Sequence, residues 1–372
     1  MSIGDGVRWL GAQALSALRP IRVGPCATEG GGHERPVLAM IRNGRNSVPT
    51  SPGISRRKRW IATVVAGVQF AACATVPYVP GQGIEGPRTL ALRPGEEQIE
   101  RGRPSPFLDG LGHYVLSLPT KLLLWNWDVD NHEISPETEE RMVKYLADND
   151  LHQVKVRLNE YAPGAEWRRL IHNRAVNGFW RYTIGVLTVS LYTILPGRAF
   201  AGLLGGDHYN PYTNTVHLYS DHPAIALHEA AHAKDFAQRK YKGTYGALRI
   251  LPLVPLYQEG LATGDAIGYD RDLDLTEAEK ADYKLLYPAY GTYVVGEGLR
   301  WISTPWQYAI TLAGVIPGHI IGRIKAAGVE DQPATGGAAR DATATLSTPT
   351  EDTAEGGRAP QESDLLPVAI RH

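Results

Sequence analysis

Cysteine is nearly absent from this chain: Cys26 and Cys73 are the only two among 372 residues. Two thiols are too few for a disulfide scaffold or a thiolate metal site, so any bound metal has to be held by histidine and carboxylate. Net charge is nearly absent too, with 38 Lys and Arg against 39 Asp and Glu, but it is unevenly spread. Residues 1–72 hold ten basic and three acidic residues, which leaves 28 basic and 36 acidic residues, a net of −8, in 73–372. An acidic body offers no footprint for a phosphate backbone, so nucleic acid is excluded as a partner. No internal repeat is present. With 43% hydrophobic and 21% charged residues, the chain still has the apolar mass for a sizeable core.

Apolar runs long enough to cross a bilayer are scarce. Only Trp60–Val79 reaches 20 mostly apolar residues, and it follows the cluster Arg56-Arg57-Lys58-Arg59. A basic segment, a short apolar stretch and small residues before a cysteine describe an export signal over 56–73. Phe70-Ala71-Ala72-Cys73 resembles a lipobox in which Cys73 is lipidated after cleavage, with Phe70 where an aliphatic residue is usual. The other reading is an uncleaved anchor whose basic cluster stays in the cytoplasm. Either one exports the body, so the chain is expected in the cell envelope, on the periplasmic side, attached to the membrane by an N-terminal lipid or anchor. Ahead of this segment, 1–55 reads as disordered or as an over-extended start, Met40 being an alternative first residue. Residues 74–105 read as a linker and 106–325 as the folded domain. Residues 326–372, poor in large apolar side chains, read as a disordered tail.

Inside the domain, Ser135-Pro136-Glu137 supplies a cap, a first-turn proline and an acid at the positive end of a helix over 136–148. Val154, Val156 and Leu158 alternate with Lys155, Arg157 and Asn159, which predicts a half-buried strand. A further helix is expected over Glu166–Asn173. Tyr182–Leu195 is too short for a comfortable membrane span and is expected to be buried in the domain. Gln307–Gly322 is a similar stretch, and entry of either into a bilayer is the competing reading.

After the turn Asn210-Pro211-Tyr212-Thr213-Asn214, Thr215–Tyr219 reads as a short strand. Ser220 or Asp221 then caps a helix opened by Pro223 and reaching about Lys240. On it stands His228-Glu229-Ala230-Ala231-His232. Residues four apart share a helix face, so two neutral imidazoles form two corners of a tetrahedral metal site. Glu229, about 100° further round the helix, stands beside the metal rather than on it, placed to take a proton from water that the metal has acidified. Burying two histidines and a glutamate needs a partner that offsets desolvation, and a divalent cation supplies it. His208, His217 and His222 lie nearby in sequence and read as structural or rim residues.

Together with Tyr257-Gln258-Glu259-Gly260-Leu261-Ala262, the motif resembles zinc metallopeptidases of the gluzincin type over roughly residues 150–270. A metzincin would carry His or Asp six residues past the second histidine, after an intervening glycine. Gln238 and Asp235 occupy those positions, and that branch is set aside. The resemblance implies Zn2+ as cofactor, held by His228, His232 and Glu259, with Glu229 as the catalytic base. It also implies a peptide or protein substrate laid along Thr215–Tyr219 as an edge strand. Thermolysin-like enzymes orient the first imidazole with an Asp four residues after the ligand Glu. Thr263 stands there, so Asp265 or Asp235 is expected to act as the supporting carboxylate. The donor to the transition-state oxyanion is expected among Tyr241, Tyr245, Tyr257 and Tyr269.

The expected fold is α+β and zincin-like, a small mixed β-sheet packed on an active-site helix, with a mainly helical second half. Two readings from other classes compete. One is a non-enzymatic exported lipoprotein that uses the fold as a binding or assembly module; the other is an intramembrane metalloprotease. Glu229 counts against the first, because a structural metal site needs no base beside it.

Overall fold

The computed structural model describes residues 78–81, 83, 89–204, 206–299 and 307–330. Four short strands, β1 (Ile99–Arg101), β2 (Lys155–Leu158), β3 (His208–Asn210) and β4 (Thr215–Leu218), form one sheet. Helices α1 (Pro106–Leu111), α2 (Leu118–Leu124) and α3 (Pro136–Asp148) lie between β1 and β2. Helices α4 (Pro163–His172), α5 (Val186–Ile194) and α6 (Gly197–Leu204) separate β2 from β3. After β4 come only helices: α7 (Pro223–Ala237), α8 (Lys242–Ala247), α9 (Val254–Asp272), α10 (Thr276–Leu299) and α11 (Gln307–Ala327), with a short 3-10 turn at Leu248–Ile250. The fold of the described residues is α+β, with a small mixed sheet and a helical second half.

The strand order is β1-β2-β4-β3, the first three parallel and β3 antiparallel to β4. Val156 pairs with Ile99 on one side and Val216 on the other, and Tyr209 lies opposite Val216. Thr215–Leu218 is therefore an inner strand and not the free edge the sequence suggests. The turn ending at Asn214, whose φ of 54° is left-handed, folds β3 back along it as a hairpin. The open edge beside α7 is β3. β1 also departs from expectation, since it lies inside the segment read as linker. Gln98 ties it to the sheet, its amide donating to the carbonyls of Leu151 at 2.8 Å and Val154 at 3.1 Å.

Both faces of the sheet are covered. On one, Val156, Leu158, Val216 and Leu218 join Met142, Tyr145 and Leu146 of α3, Leu227 and Ala231 of α7, and Ala262, Ala266 and Ile267 of α9. On the other, α4 lies over Arg157 and His217. Arg157 Nε donates to Glu166 at 2.9 Å, and His217 Nε2 lies 3.6 Å from the same carboxylate. This explains why β2 is buried throughout although its sequence alternates: Arg157 meets Glu166 of α4 and Lys155 meets Glu100 of β1 instead of water. Burial of such a set is tolerable only because each charge is paired.

The start of α7 shows how local signals are redistributed by packing. Ser135 caps α3 as expected, its Oγ accepting from Thr138 N at 3.3 Å. Asp221 joins that same cap, accepting from Ser135 N at 2.9 Å and from Thr138 Oγ1 at 2.6 Å. With Asp221 so engaged, neither it nor Ser220 caps α7. His222 does, its Nδ1 accepting from Ala224 N at 3.2 Å, and Pro223 follows at the first helical position.

Tyr182–Leu195, expected to be buried in the domain, is helical and only half buried, with Val189 and Tyr192 inside and Leu187, Leu191 and Ile194 outside. No helix among the described residues is long and apolar enough to cross a membrane. At the C-terminal side α11 runs on to Ala327 and buries Ala326, two residues into the expected tail. The export segment with Cys73, residues 1–55 and residues 331–372 lie outside the described residues.

Candidate metal centre

Helices α7 and α9 pack side by side, and Ala231 on the first and Ala262 and Ala266 on the second are buried in the core they share. Small side chains let the helices approach closely, and this brings Glu259 from the second turn of α9 onto the histidine face of α7. Glu259 Oε2 lies 3.1 Å from His228 Nε2 and 3.4 Å from His232 Nε2. One donor atom from each of the three falls within 4.8 Å of the others. The imidazoles stand edge to face, 4.7 Å between centroids. All three expected metal-ligating residues are therefore brought together, and Glu259 is not a first-turn charge facing solvent: its side chain is 2% exposed.

The surroundings tune these groups. Burial disfavours the His228 imidazolium, yet Glu259 and Glu229 hold its pKa above the ordinary histidine value. Glu259 moves the other way: against its burial, His232, His228 and Arg249 hold the carboxyl well below the usual range. Arg249 Nη2 donates to Glu259 Oε1 at 2.5 Å, which fixes the carboxylate plane and leaves Oε2 toward the imidazoles. Burial raises Glu229, while the two histidines pull it back. A carboxyl lifted towards neutrality suits a group that must both take and return a proton.

The expected supporting carboxylates are elsewhere. Asp235 accepts from Arg239 Nε at 3.0 Å and Tyr245 Oη at 2.6 Å. Asp265 accepts from Lys234 Nζ at 2.7 Å and from Tyr145 Oη. Asp265 found its cation, Lys234, on α7, and Asp235 found Arg239 just past the end of that helix, so neither reaches an imidazole. Thr263 does, its Oγ1 lying 3.4 Å from His228 Nδ1, one turn along α9 from Glu259. His232 Nδ1 is buried with no hydrogen-bond partner. We expect Thr263→Val to weaken metal binding by about tenfold, the low end of what such supporting contacts contribute. Asp235→Asn and Asp265→Asn should leave affinity unchanged while lowering the melting temperature. Equilibrium dialysis beside thermal melts separates the two outcomes.

The three candidate ligands sit between two cavities. A cleft of about 860 Å³ is lined by Leu191, Tyr192, Phe236, Ile250 and the β3 residues His208, Tyr209 and Asn210. A smaller cavity of about 240 Å³ lies on the far side, among Leu123, Val129, Leu286 and Tyr290. Asp207, Glu229, Glu259 and Tyr293 line both, so the candidate base faces the space on either side of the ligand cluster. None of the four tyrosines named from sequence lines either cavity. Tyr245 is held by Asp235, and Tyr269 Oη donates to Asp148 at 2.8 Å. Tyr293 of α10 stands there instead. The negative charge of Glu259 and burial raise its pKa, so its hydroxyl keeps its proton. Of the nearby histidines, His217 pairs with Glu166 and His222 caps α7. His208 stacks on His217 with 4.8 Å between centroids and is pushed down to about 4 by burial and then by His217, so it lines the cleft as a neutral ring.

Asp130 and Asp207 at the edge of the smaller cavity form a buried acid pair. Asp207 Oδ1 accepts from Ser220 N at 3.0 Å, Ser220 Oγ accepts from Asp130 N at 2.7 Å, and Asp130 Oδ1 has no partner. Burial, then the charge of Asp207, lifts Asp130 to about 7. A carboxyl raised on folding contributes stability that is complete near its unfolded value and is lost as pH rises through the folded one. Asp130→Asn removes that dependence. Relative to wild type, the variant should gain on the order of 3 kcal/mol between pH 4 and pH 8. Urea denaturation of both proteins across that range would show a difference that grows with pH; a constant difference contradicts the raised carboxyl.

No protein-family model matches the chain, and neither the curated proteins nor the solved structures contain a match.

Proposed function

We propose that this chain is a zinc-dependent peptidase of the gluzincin type with a zincin-like fold, exported and tethered to a membrane by its N-terminal segment. His228, His232 and Glu259 hold the ion and Glu229 is the general base. The observation that carries this reading is the meeting of Glu259 Oε2 with both Nε2 atoms across 27 residues of sequence. Ligands about 2.0–2.1 Å from zinc at tetrahedral corners stand roughly 3.3 Å apart, and the separations of 3.1 and 3.4 Å suit that geometry. The chemistry of the set fits as well: two imidazoles and a carboxylate that remains ionised although buried, in a chain with no cysteine from 74 onward.

Bound zinc supplies a Lewis acid that polarises the scissile carbonyl and acidifies water. Glu229, on the rigid α7, takes the proton from the attacking water and returns it to the leaving amine. Tyr293, kept protonated, donates to the carbonyl oxygen as negative charge builds there. The open edge of β3, not β4, offers main-chain groups to an extended peptide running through the larger cleft. Arg249 keeps Glu259 in one orientation, leaving Oε2 free for the ion. The absence of a membrane-crossing helix among the described residues weighs against the intramembrane reading.

Incubation of the zinc-loaded chain with a peptide library, read by mass spectrometry, tests this directly. Products should disappear when a chelator strips the metal and return when Zn2+ is restored. Cleavage that is indifferent to the chelator contradicts the proposal.

A further inference from the structure

Helix α5 is apolar on both sides. From Tyr182 to Gly197 there is no charged side chain. Val189 and Tyr192 face inward, while Leu187, Leu191 and Ile194 are 58%, 49% and 72% exposed. These three are spaced four and three residues apart, so they share one face. A helix of a water-facing domain turns its polar residues outward, and one that is apolar all round is normally covered. A second exposed apolar segment borders the larger cleft: Ile250, 69% exposed, then Leu251 and Leu253. Leu191 and Ile250 line the same cleft, so the two segments border it as two apolar lips. The second lip is held in place. Leu253 adopts a left-handed backbone, φ 66°, and its N–H donates to Glu297 Oε2 at 3.1 Å. A leucine takes that conformation only where the surroundings impose it. Single exposed leucines are ordinary, but two apolar lips framing one cleft are not.

We propose that these lips are a lipid-bilayer docking surface. Helix α5 lies flat at the boundary between headgroups and acyl chains, with Leu187, Leu191 and Ile194 inserted, and Ile250, Leu251 and Leu253 enter beside it. Nine residues span roughly 14 Å, far short of the ~30 Å hydrocarbon core, so α5 lies on the membrane rather than through it. Tyr182, one turn ahead, has the apolar ring and polar tip that suit the headgroup level. A bilayer is favoured over a protein partner because neither apolar segment, 182–197 or 250–253, carries a charged side chain for a partner to complement. In addition, the export segment read at 56–73 lies just ahead of the described fold, which begins at Tyr78, and its tether would keep that fold beside a membrane. This last point rests on the tethering proposed above. The consequence is that the cleft opens at the membrane surface, where its substrates are chains held there too.

The test uses the full-length chain carrying an environment-sensitive fluorescent amino acid at position 191, at 194, or at the exposed position 140 of α3 as control. It is mixed with phosphatidylcholine and phosphatidylglycerol vesicles, with and without nitroxide-labelled acyl chains. Tethering brings all three labels to the vesicles; only insertion of the lips moves the first two into lipid. We expect blue-shifted emission and several-fold stronger nitroxide quenching at 191 and 194 than at 140, and loss of that contrast for the label at 194 in Leu187→Ser with Leu191→Ser. If the chain floats with the vesicles but the 191 and 194 labels stay aqueous, docking is wrong while tethering stands; if it does not float, both fail. A blue shift that grows with protein concentration without lipid assigns the face to a second copy and overturns the proposal. None of these readouts depends on metal or activity.

Discussion

Glu229→Gln is expected to bind zinc as the wild type does and to lose between about 10² and 10⁴ in kcat, the usual contribution of a positioned general base. Glu229 lines both cavities beside the ligand cluster but donates no atom to it, so removing its charge leaves the three ligands in place. Glutamine is close to isosteric and keeps a hydrogen-bonding tip, so the helix should pack unchanged. Steady-state kinetics on the peptides identified by the library, with metal content measured on the same samples, separates chemistry from folding. Equal loss of metal and activity would show instead that Glu229 is a ligand or a structural group. Intact activity with bound metal would remove Glu229 from the role of general base.

Glu259→Gln should have the opposite profile. It removes the one carboxylate that completes the ligand set, and metal affinity should fall by more than the ~100-fold at the upper end for a supporting partner. Activity falls with it and is partly restored by excess zinc. The variant also strips Arg249 of its ion pair, a loss softened by the partial exposure of that guanidinium. Stability measured without metal should therefore change only modestly. Zinc is expected to raise the melting temperature of the wild type by binding only the folded state, worth about 2.7 kcal/mol at a hundred times Kd. It should leave Glu259→Gln unmoved at the same concentration. An equal zinc-induced shift in both proteins would remove Glu259 from the site.

The histidine pair was legible because helical periodicity alone sets it: residues 228 and 232 share a face wherever α7 packs. The cap of α3 was legible for the same reason, since Ser135 and Thr138 meet within one turn. Glu259 came from the likeness of its segment, not from periodicity. Its meeting with α7 depends on how two separate helices pack, which no local pattern sets. What could not be read were features decided by distant partners. Asp235 lies three residues past His232 and Asp265 six past Glu259, but Arg239 and Lys234 claim them. Thr263 looks unremarkable in sequence and yet faces His228 Nδ1. Tyr293 lies 34 residues beyond Glu259 on another helix, with no spacing rule to point to it. The strand errors have one origin: alternation marks two faces but does not say what covers them, and the edge of a sheet is set by pairing order. Thus β2 reads as half exposed while α4 buries it, and β4 reads as an edge while β3 takes that place.

X-ray absorption on the full-length protein, with zinc quantified per chain, bears most directly on the ligand cluster. One zinc per chain is expected, with two imidazole nitrogens and carboxylate oxygen in its shell at about 2.0–2.1 Å, and His228→Ala should abolish it. A chain that takes up no stoichiometric zinc, or a His228→Ala variant that retains it in an unchanged shell, would contradict the metal centre described here.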